Sequence, residues 1–204
     1  MSSDRPMFED KAFHGEDWYG DDLGDTRYLR CEFVNVDLTE TRSRGAVFED
    51  CRFSNCRFNA SEHVDTAFVS CDIRRTSWFD ATLTGCKLTG TTFSDCVFQP
   101  LTVKGGAWTG VVLRGADLSG LDLSNVRLDD ADLSMASLEH ATLGGCDLSR
   151  ATVRETDLRR ADLRGATLTD VDLLTARLAQ TRLDLTGAVA LAESAGAVVD
   201  PAAP

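Results

Sequence analysis

Long apolar runs are missing from this chain. None is long enough to cross a bilayer, and residues 1 to 11 include Asp4, Arg5, Glu9, Asp10 and Lys11 instead of the apolar core of a signal peptide. A cytoplasmic protein that makes no membrane contact is the expectation. Cysteines in CxxC pairs are missing too: the seven present stand at spacings that are multiples of five, which is not the ligand spacing of a zinc site. Neither a metal nor a cofactor is expected. His14, His63 and His140 are the only histidines and none belongs to an HExxH pair, while GxSxG, Walker and helix-opening GxGxxG motifs are all absent. Carboxylate pairs such as Glu49-Asp50 and Asp129-Asp130 have no pocket to raise a pKa for acid catalysis, so the chain reads as a non-enzyme. Positive charge is short as well, with 21 Lys and Arg against 33 Asp and Glu, a net of −12. Phosphate backbones need cations to neutralise them, which argues against direct nucleic acid binding.

What the chain does have is a period. From Phe8 to Leu183 every fifth residue is Phe, Leu, Trp, Tyr, Ile or Val, and only Ser43 and His63 depart from the frame. A repeat of five matches neither the 3.6-residue helix nor two-residue strand alternation, so the chain must turn a corner about once per repeat and build a solenoid. Two residues before most of the large centres stands a small one. Ala116, Ala131, Ala136, Ala161 and Ala166 are examples, and all seven cysteines, Cys31, Cys51, Cys56, Cys71, Cys86, Cys96 and Cys146, occupy this register. They read as core filler. The remaining three positions are mostly Asp, Arg, Ser, Thr, Glu and Gly, as corners and outward side chains require. Nine of the ten phenylalanines are centres and all ten precede residue 100, after which Leu dominates. An aromatic N-terminal half and a more regular C-terminal half are therefore expected, with Phe79, Met135 and Leu174 pointing outward.

Ala116-Asp117-Leu118-Ser119-Gly120, Ala131-Asp132-Leu133-Ser134-Met135 and Ala161-Asp162-Leu163-Arg164-Gly165 resemble the A(D/N)Lxx unit of the pentapeptide repeat family. The resemblance implies an all-β fold, a right-handed quadrilateral β-helix with four repeats per coil, over almost the whole chain. Residues twenty apart then stack at roughly the 4.8 Å strand spacing. The unbroken frame implies one domain, with a lead-in over 1–7, the β-helix over 8–184, and a short helix with a disordered tail over 185–204. Stacking also places Cys31, Cys51 and Cys71 in one column, where the filler reading still holds. It places Ser43 and His63 together, either hydrogen-bonded to each other as a local irregularity or as a dent that a partner grips.

Pro100-Leu101-Thr102, Leu118-Ser119-Gly120-Leu121-Asp122-Leu123 and the ending Ala188-Val189-Ala190-Leu191-Ala192 are similar to the mycobacterial fluoroquinolone-resistance proteins of the MfpA and Qnr type. That likeness implies a DNA-shaped homodimer that binds DNA gyrase. Charge fits the same reading, since Asp117, Asp122, Asp132, Asp147, Asp157, Asp162 and Asp172 all stand just before a centre and face outward. Carboxylates on a rigid frame imitate phosphates and are drawn to a basic DNA-binding groove. A coil of twenty residues at about 3.3 Å each has sides of roughly 16 Å, comparable with a duplex. These seven aspartates are the candidate partner-binding set. The competing reading is a general protein-interaction scaffold with a target other than a topoisomerase, in which the acids serve only solubility. After Leu183 the frame stops; Thr186 is a candidate cap for a short helix whose apolar stripe either closes the rod's end or, as the resemblance implies, makes a twofold dimer, with Leu185, Val189, Leu191 and Ala192 as the candidate dimer contacts. Lys11, Glu16 and Asp21 stand where small inward residues are expected, so the first coil reads as irregular.

Overall fold

The computed structural model describes residues 5–200, so the outer parts of the expected lead-in and tail, 1–4 and 201–204, lie outside the described residues. The chain winds as a right-handed quadrilateral β-helix closed by one short helix. Every strand pairs in parallel with the segment twenty residues away. Met7–Glu9 pairs with Arg27–Leu29, Glu32–Val34 with Arg52–Ser54, and the same register persists to the Asp162 and Arg182 bridge. Four faces result, and their first centres are Phe8, Phe13, Trp18 and Leu23.

The corners explain the period. Residues two beyond a centre adopt left-handed backbone, from Asp10 at φ 52° to Gln180 at φ 63°, in glycines and non-glycines alike. In the C-terminal half nearly every corner is a four-residue turn closed by a backbone bond, such as Ala116 N–H to Leu113 O at 3.0 Å. Positive φ at the third position makes these type II turns. The N-terminal half instead uses three-residue extended segments on several faces, which gives the aromatic centres straight columns. Tyr28, Phe48 and Phe68 stack with centroids 4.7 and 4.8 Å apart, Phe33 and Phe53 at 4.5 Å, and Phe58 and Trp78 at 4.2 Å. Offset ring stacks at the coil rise add to burial. Phe79, Met135 and Leu174 point outward as expected, and Tyr19 and Val97 join them.

Three corners fail to adopt positive φ. At Asp25 the preceding Gly24 takes the left-handed turn instead, and at Thr175 the chain makes a short 3-10 turn over Leu173–Thr175. The third is Pro100, whose ring fixes φ near −65°. Here the ladder opens. Among the described residues no bridge joins Val97 to Asp117 or Thr102 to Asp122, although Lys87 still pairs with Ala107 and Thr92 with Val112. At most other corners the N–H donates to the coil above, as Gly20 does to Thr39 O. Pro100 has no N–H to give Ser119 O, and the Gln99 side-chain amide supplies the donor, reaching Ser119 Oγ at 3.0 Å as well.

The filler register carries its own bonds. Cys51 Sγ donates to Tyr28 O at 3.3 Å, Cys71 Sγ to Phe48 O at 3.3 Å and Cys146 Sγ to Leu123 O at 2.8 Å. Thr91 and Thr156 hydroxyls make the same bond to Phe68 O and Leu133 O. Each donor thus ties its coil to a carbonyl 23 residues earlier. All seven cysteines are free thiols, and burial pushes Cys86 and Cys96 up to about 11 and Cys146 up to about 12, which suppresses thiolate chemistry.

The helix α1 spans Leu185–Ser194, and its cap is Asp184, not Thr186: the Asp184 carboxylate accepts from Gly187 N at 2.9 Å and from Gly165 N at 2.7 Å. A carboxylate accepts more strongly than a hydroxyl and also complements the helix dipole. No helix among the described residues is long and apolar enough to cross a membrane.

Candidate partner-binding surface

The seven candidate aspartates do one thing in common. Each accepts a hydrogen bond from the backbone N–H two residues on: Asp117 from Ser119 at 3.1 Å, Asp122 from Ser124 at 3.0 Å, Asp132 from Ser134 at 3.0 Å and Asp147 from Ser149 at 3.0 Å. Asp157, Asp162 and Asp172 accept likewise from Arg159, Arg164 and Leu174 at 3.1 to 3.2 Å. This Asx geometry satisfies an N–H at the start of each of these seven corners, so the side chains have a structural role whatever else they do.

Their charges are not equally available. Asp132 bonds Arg114 at 3.0 Å, Asp157 bonds Arg159 at 2.6 Å and Asp162 bonds Arg164 at 2.6 Å, with Arg182 at 3.9 Å. The Arg164 guanidinium holds the Asp162 carboxyl down to about 2, and the Arg159 guanidinium lowers Asp157 in the same way. Asp147 is lowered by its bonds from Ser149, with Arg127 and Arg150 adding to the effect. Asp117, Asp122 and Asp172 are exposed and accept only from neutral donors; the Ser124 hydroxyl and amide lower Asp122.

Nor do the seven converge. They are spread over all four faces, and the ladder puts Ser137 between Asp117 and Asp157 and Thr142 between Asp122 and Asp162. Arg177 and Arg182 close those two columns. Acids two coils apart thus share a column, and the intervening neutral residues and capping arginines make the columns mixed.

Ser43 and His63 form a buried hydrogen-bonded pair and not a dent: Ser43 is 4 % and His63 0 % exposed. A partner therefore has nothing to grip there. His63 Nε2 lies 3.0 Å from Ser61 Oγ, which itself donates to Phe58 O at 2.6 Å, so Nε2 carries the proton. Nδ1 then accepts from Ser43 Oγ at 2.6 Å, and Thr66 Oγ1 completes the network 2.7 Å from Ser43 Oγ. Burial pushes the imidazole down to about 4, and the sealed position leaves the hydroxyl no route to a substrate.

Of the candidate dimer contacts, Leu191 packs with Ala190 against the rod's own core, and Val189 and Ala192 are half-buried. Leu185 is 82 % exposed at the first turn of α1. Ser194 Oγ donates to Val171 O at 3.2 Å and ties the helix end to the last coil. Among the described residues no three His, Cys, Asp or Glu side chains come together as a metal site.

Two family models of pentapeptide repeats match the chain consecutively, one described as a pentapeptide repeat region over residues 76–153 and one as pentapeptide repeats (8 copies) over 146–184. The chain belongs to the pentapeptide repeat family. A third model, the SV2A/B/C luminal domain, matches residues 23–98. No curated protein sequence matches. Among solved structures this pentapeptide repeat protein is similar to full-length QnrB1, a plasmid-mediated fluoroquinolone resistance protein. The two share 23 % identity over 94 % of this chain and 100 % of QnrB1, with a TM-score of 0.59. A trypsin-treated QnrB1 variant matches with 24 % identity, a TM-score of 0.55, and coverage of 95 % and 99 %. At this identity the likeness is one of fold.

Proposed function

We propose that this pentapeptide repeat protein binds DNA gyrase in place of DNA and thereby lessens the damage done by fluoroquinolones or other gyrase poisons. The observation that carries the reading is a four-sided acidic rod whose fold matches a fluoroquinolone resistance protein over that protein's full length. The mechanism is occupancy, without chemistry on the rod: a duplex-sized frame with fixed carboxylates competes for a basic groove. Charge sets encounter rate and shape sets specificity.

Within the candidate set, exposed Asp117, Asp122 and Asp172 are the carboxylates to meet cations, while Asp132, Asp157 and Asp162 already hold arginines. A twofold dimer through α1 would use Leu185 and Val189 more than Leu191, which is engaged with the rod's own core. A cytoplasmic, homodimeric, non-enzymatic protein follows from the same reading.

A supercoiling assay with purified gyrase, with and without a fluoroquinolone, tests it. Wild type is expected to inhibit supercoiling or to rescue it from the drug. The D117N/D122N/D172N variant keeps the oxygen acceptors that the turns need but removes three charges, and should act at severalfold higher concentration. No effect from a folded wild type would favour the scaffold reading.

A further inference from the structure

Among the described residues the first coil of the rod has an open edge. In the second coil Arg27, Glu32, Asp37 and Arg42 each donate their N–H to a carbonyl of the first coil: Pro6, Lys11, Glu16 and Asp21. Their counterparts one coil earlier are Met7, Ala12, Asp17 and Asp22, and among the described residues no coil lies beneath to receive those amides. The core section is open as well. Phe8 is 39 % exposed and Phe13 and Trp18 are half-buried, whereas the centres above them at Tyr28, Phe33 and Leu38 are buried. A recess at this end is lined by Phe8, Trp18, Leu23 and Tyr28 together with Asp21 and Asp22.

The charge around the recess has one sign. Between Ala12 and Thr26 there are five carboxylates and no Lys or Arg. Asp25 is paired with Arg5, while Asp21 and Asp22 have no ion-pair partner among the described residues. Glu16 and Asp21 occupy the inward register with Lys11 as the coil's one cation there, so a further identical coil would bury two acids for each base. Like charge therefore disfavours a second copy stacked end to end.

We propose that this end is a docking edge for an extended, arginine- or lysine-bearing segment of a partner protein. The segment pairs along the Leu23 face, at the free amide of Asp22 beside the recess. One of its cationic side chains enters the recess, where the Trp18, Phe8 and Tyr28 rings face it and the Asp21 and Asp22 carboxylates neutralise it. Charge complementarity selects the occupant, and the free strand edge selects its extended conformation.

The test uses the full chain, isotope-labelled, titrated by NMR with an acetylated, amidated eight-residue peptide alternating arginine and valine. A peptide alternating glutamate and valine is the control. Saturable shifts confined to Met7–Tyr28, slowed hydrogen exchange at the Asp22 amide, and at least tenfold weaker binding by the D21N/D22N variant are expected. Asn keeps the Asp22 acceptor for Gly24 N, so the fold is retained; unchanged shifts over Leu113–Leu168 check this. Equal binding of the glutamate peptide, shifts elsewhere on the rod, unaltered affinity in the variant, or self-association through this end in light scattering would each overturn the proposal. No gyrase is present, so the outcome is independent of the gyrase reading.

Discussion

His63 is a base kept from its proton by burial among Phe58, Phe68 and Trp78. Its folded pKa is depressed to about 4 from an unfolded value of 6.5. Full stability is therefore present above pH 6.5 and is lost as pH falls towards 4, because the unfolded chain takes the proton first. The loss by pH 5 is about 2 kcal/mol. Urea unfolding at pH 7 and pH 5 should show that drop in wild type and a smaller one in His63→Leu, even though the variant starts less stable for want of its hydrogen bonds. Gly106 makes a second residue-scale prediction. A Cβ there would lie 2.5 Å from Cys86 O and 3.2 Å from Trp108 Nε1, at φ +130°. Gly106→Ala should cost about 2 kcal/mol or more, read as a lowered Tm. Neither feature was fully legible in the sequence: the twenty-residue stack placed Ser43 beside His63, but burial, which separates a sealed network from a surface dent, depends on Ser61 and Thr66 closing over the ring.

The coil is the element that repeats, and its frame was legible because each position has its own physical demand: large inside, small inside, left-handed at the corner. Pro100 breaks the last demand, since proline cannot adopt positive φ. It was visible in the sequence, but its consequence was not, because the corner conformation is not encoded by residue type: Arg30, Met135 and Gln180 occupy it as Gly20 does. The opened ladder between Val97–Lys104 and the coil above leaves the two halves joined by backbone pairing on the first two faces, with Gln99 strapping the third. Hydrogen exchange should be at least tenfold faster for Phe98 and Asp117 than for Phe58 and Ser77, whose N–H groups donate to Ser77 O and Cys56 O. Gln99→Leu should widen that difference without altering exchange in coils beyond Leu133. For α1, Asp184→Ala removes the acceptor shared by Gly187 and Gly165, and should lower stability by about 1 kcal/mol, with loss of helical signal at 222 nm.

At the scale of the molecule, net charge was readable from composition, but its distribution was not. The seven aspartates of the C-terminal half looked like a phosphate mimic because each precedes a centre, and the structure shows that each also makes an Asx bond in this register. Arginines two residues on, or one coil away, cannot be paired with them until the coil geometry is known. Acid without a counter-cation is instead densest at the first coil, where Glu16, Asp17, Asp21 and Asp22 surround an open end. The rod thus combines an acidic frame with mixed C-terminal columns, and binding to a basic groove should weaken steeply with salt. Displacement of DNA is the central claim. A fluorescent duplex bound to gyrase, titrated with the rod and followed by anisotropy, addresses it most directly. Wild type should release the duplex in a saturable, salt-sensitive manner, and D117N/D122N/D172N should require severalfold more protein. Binding of the rod to gyrase with the duplex still held, or no release by a folded wild type, would contradict that claim.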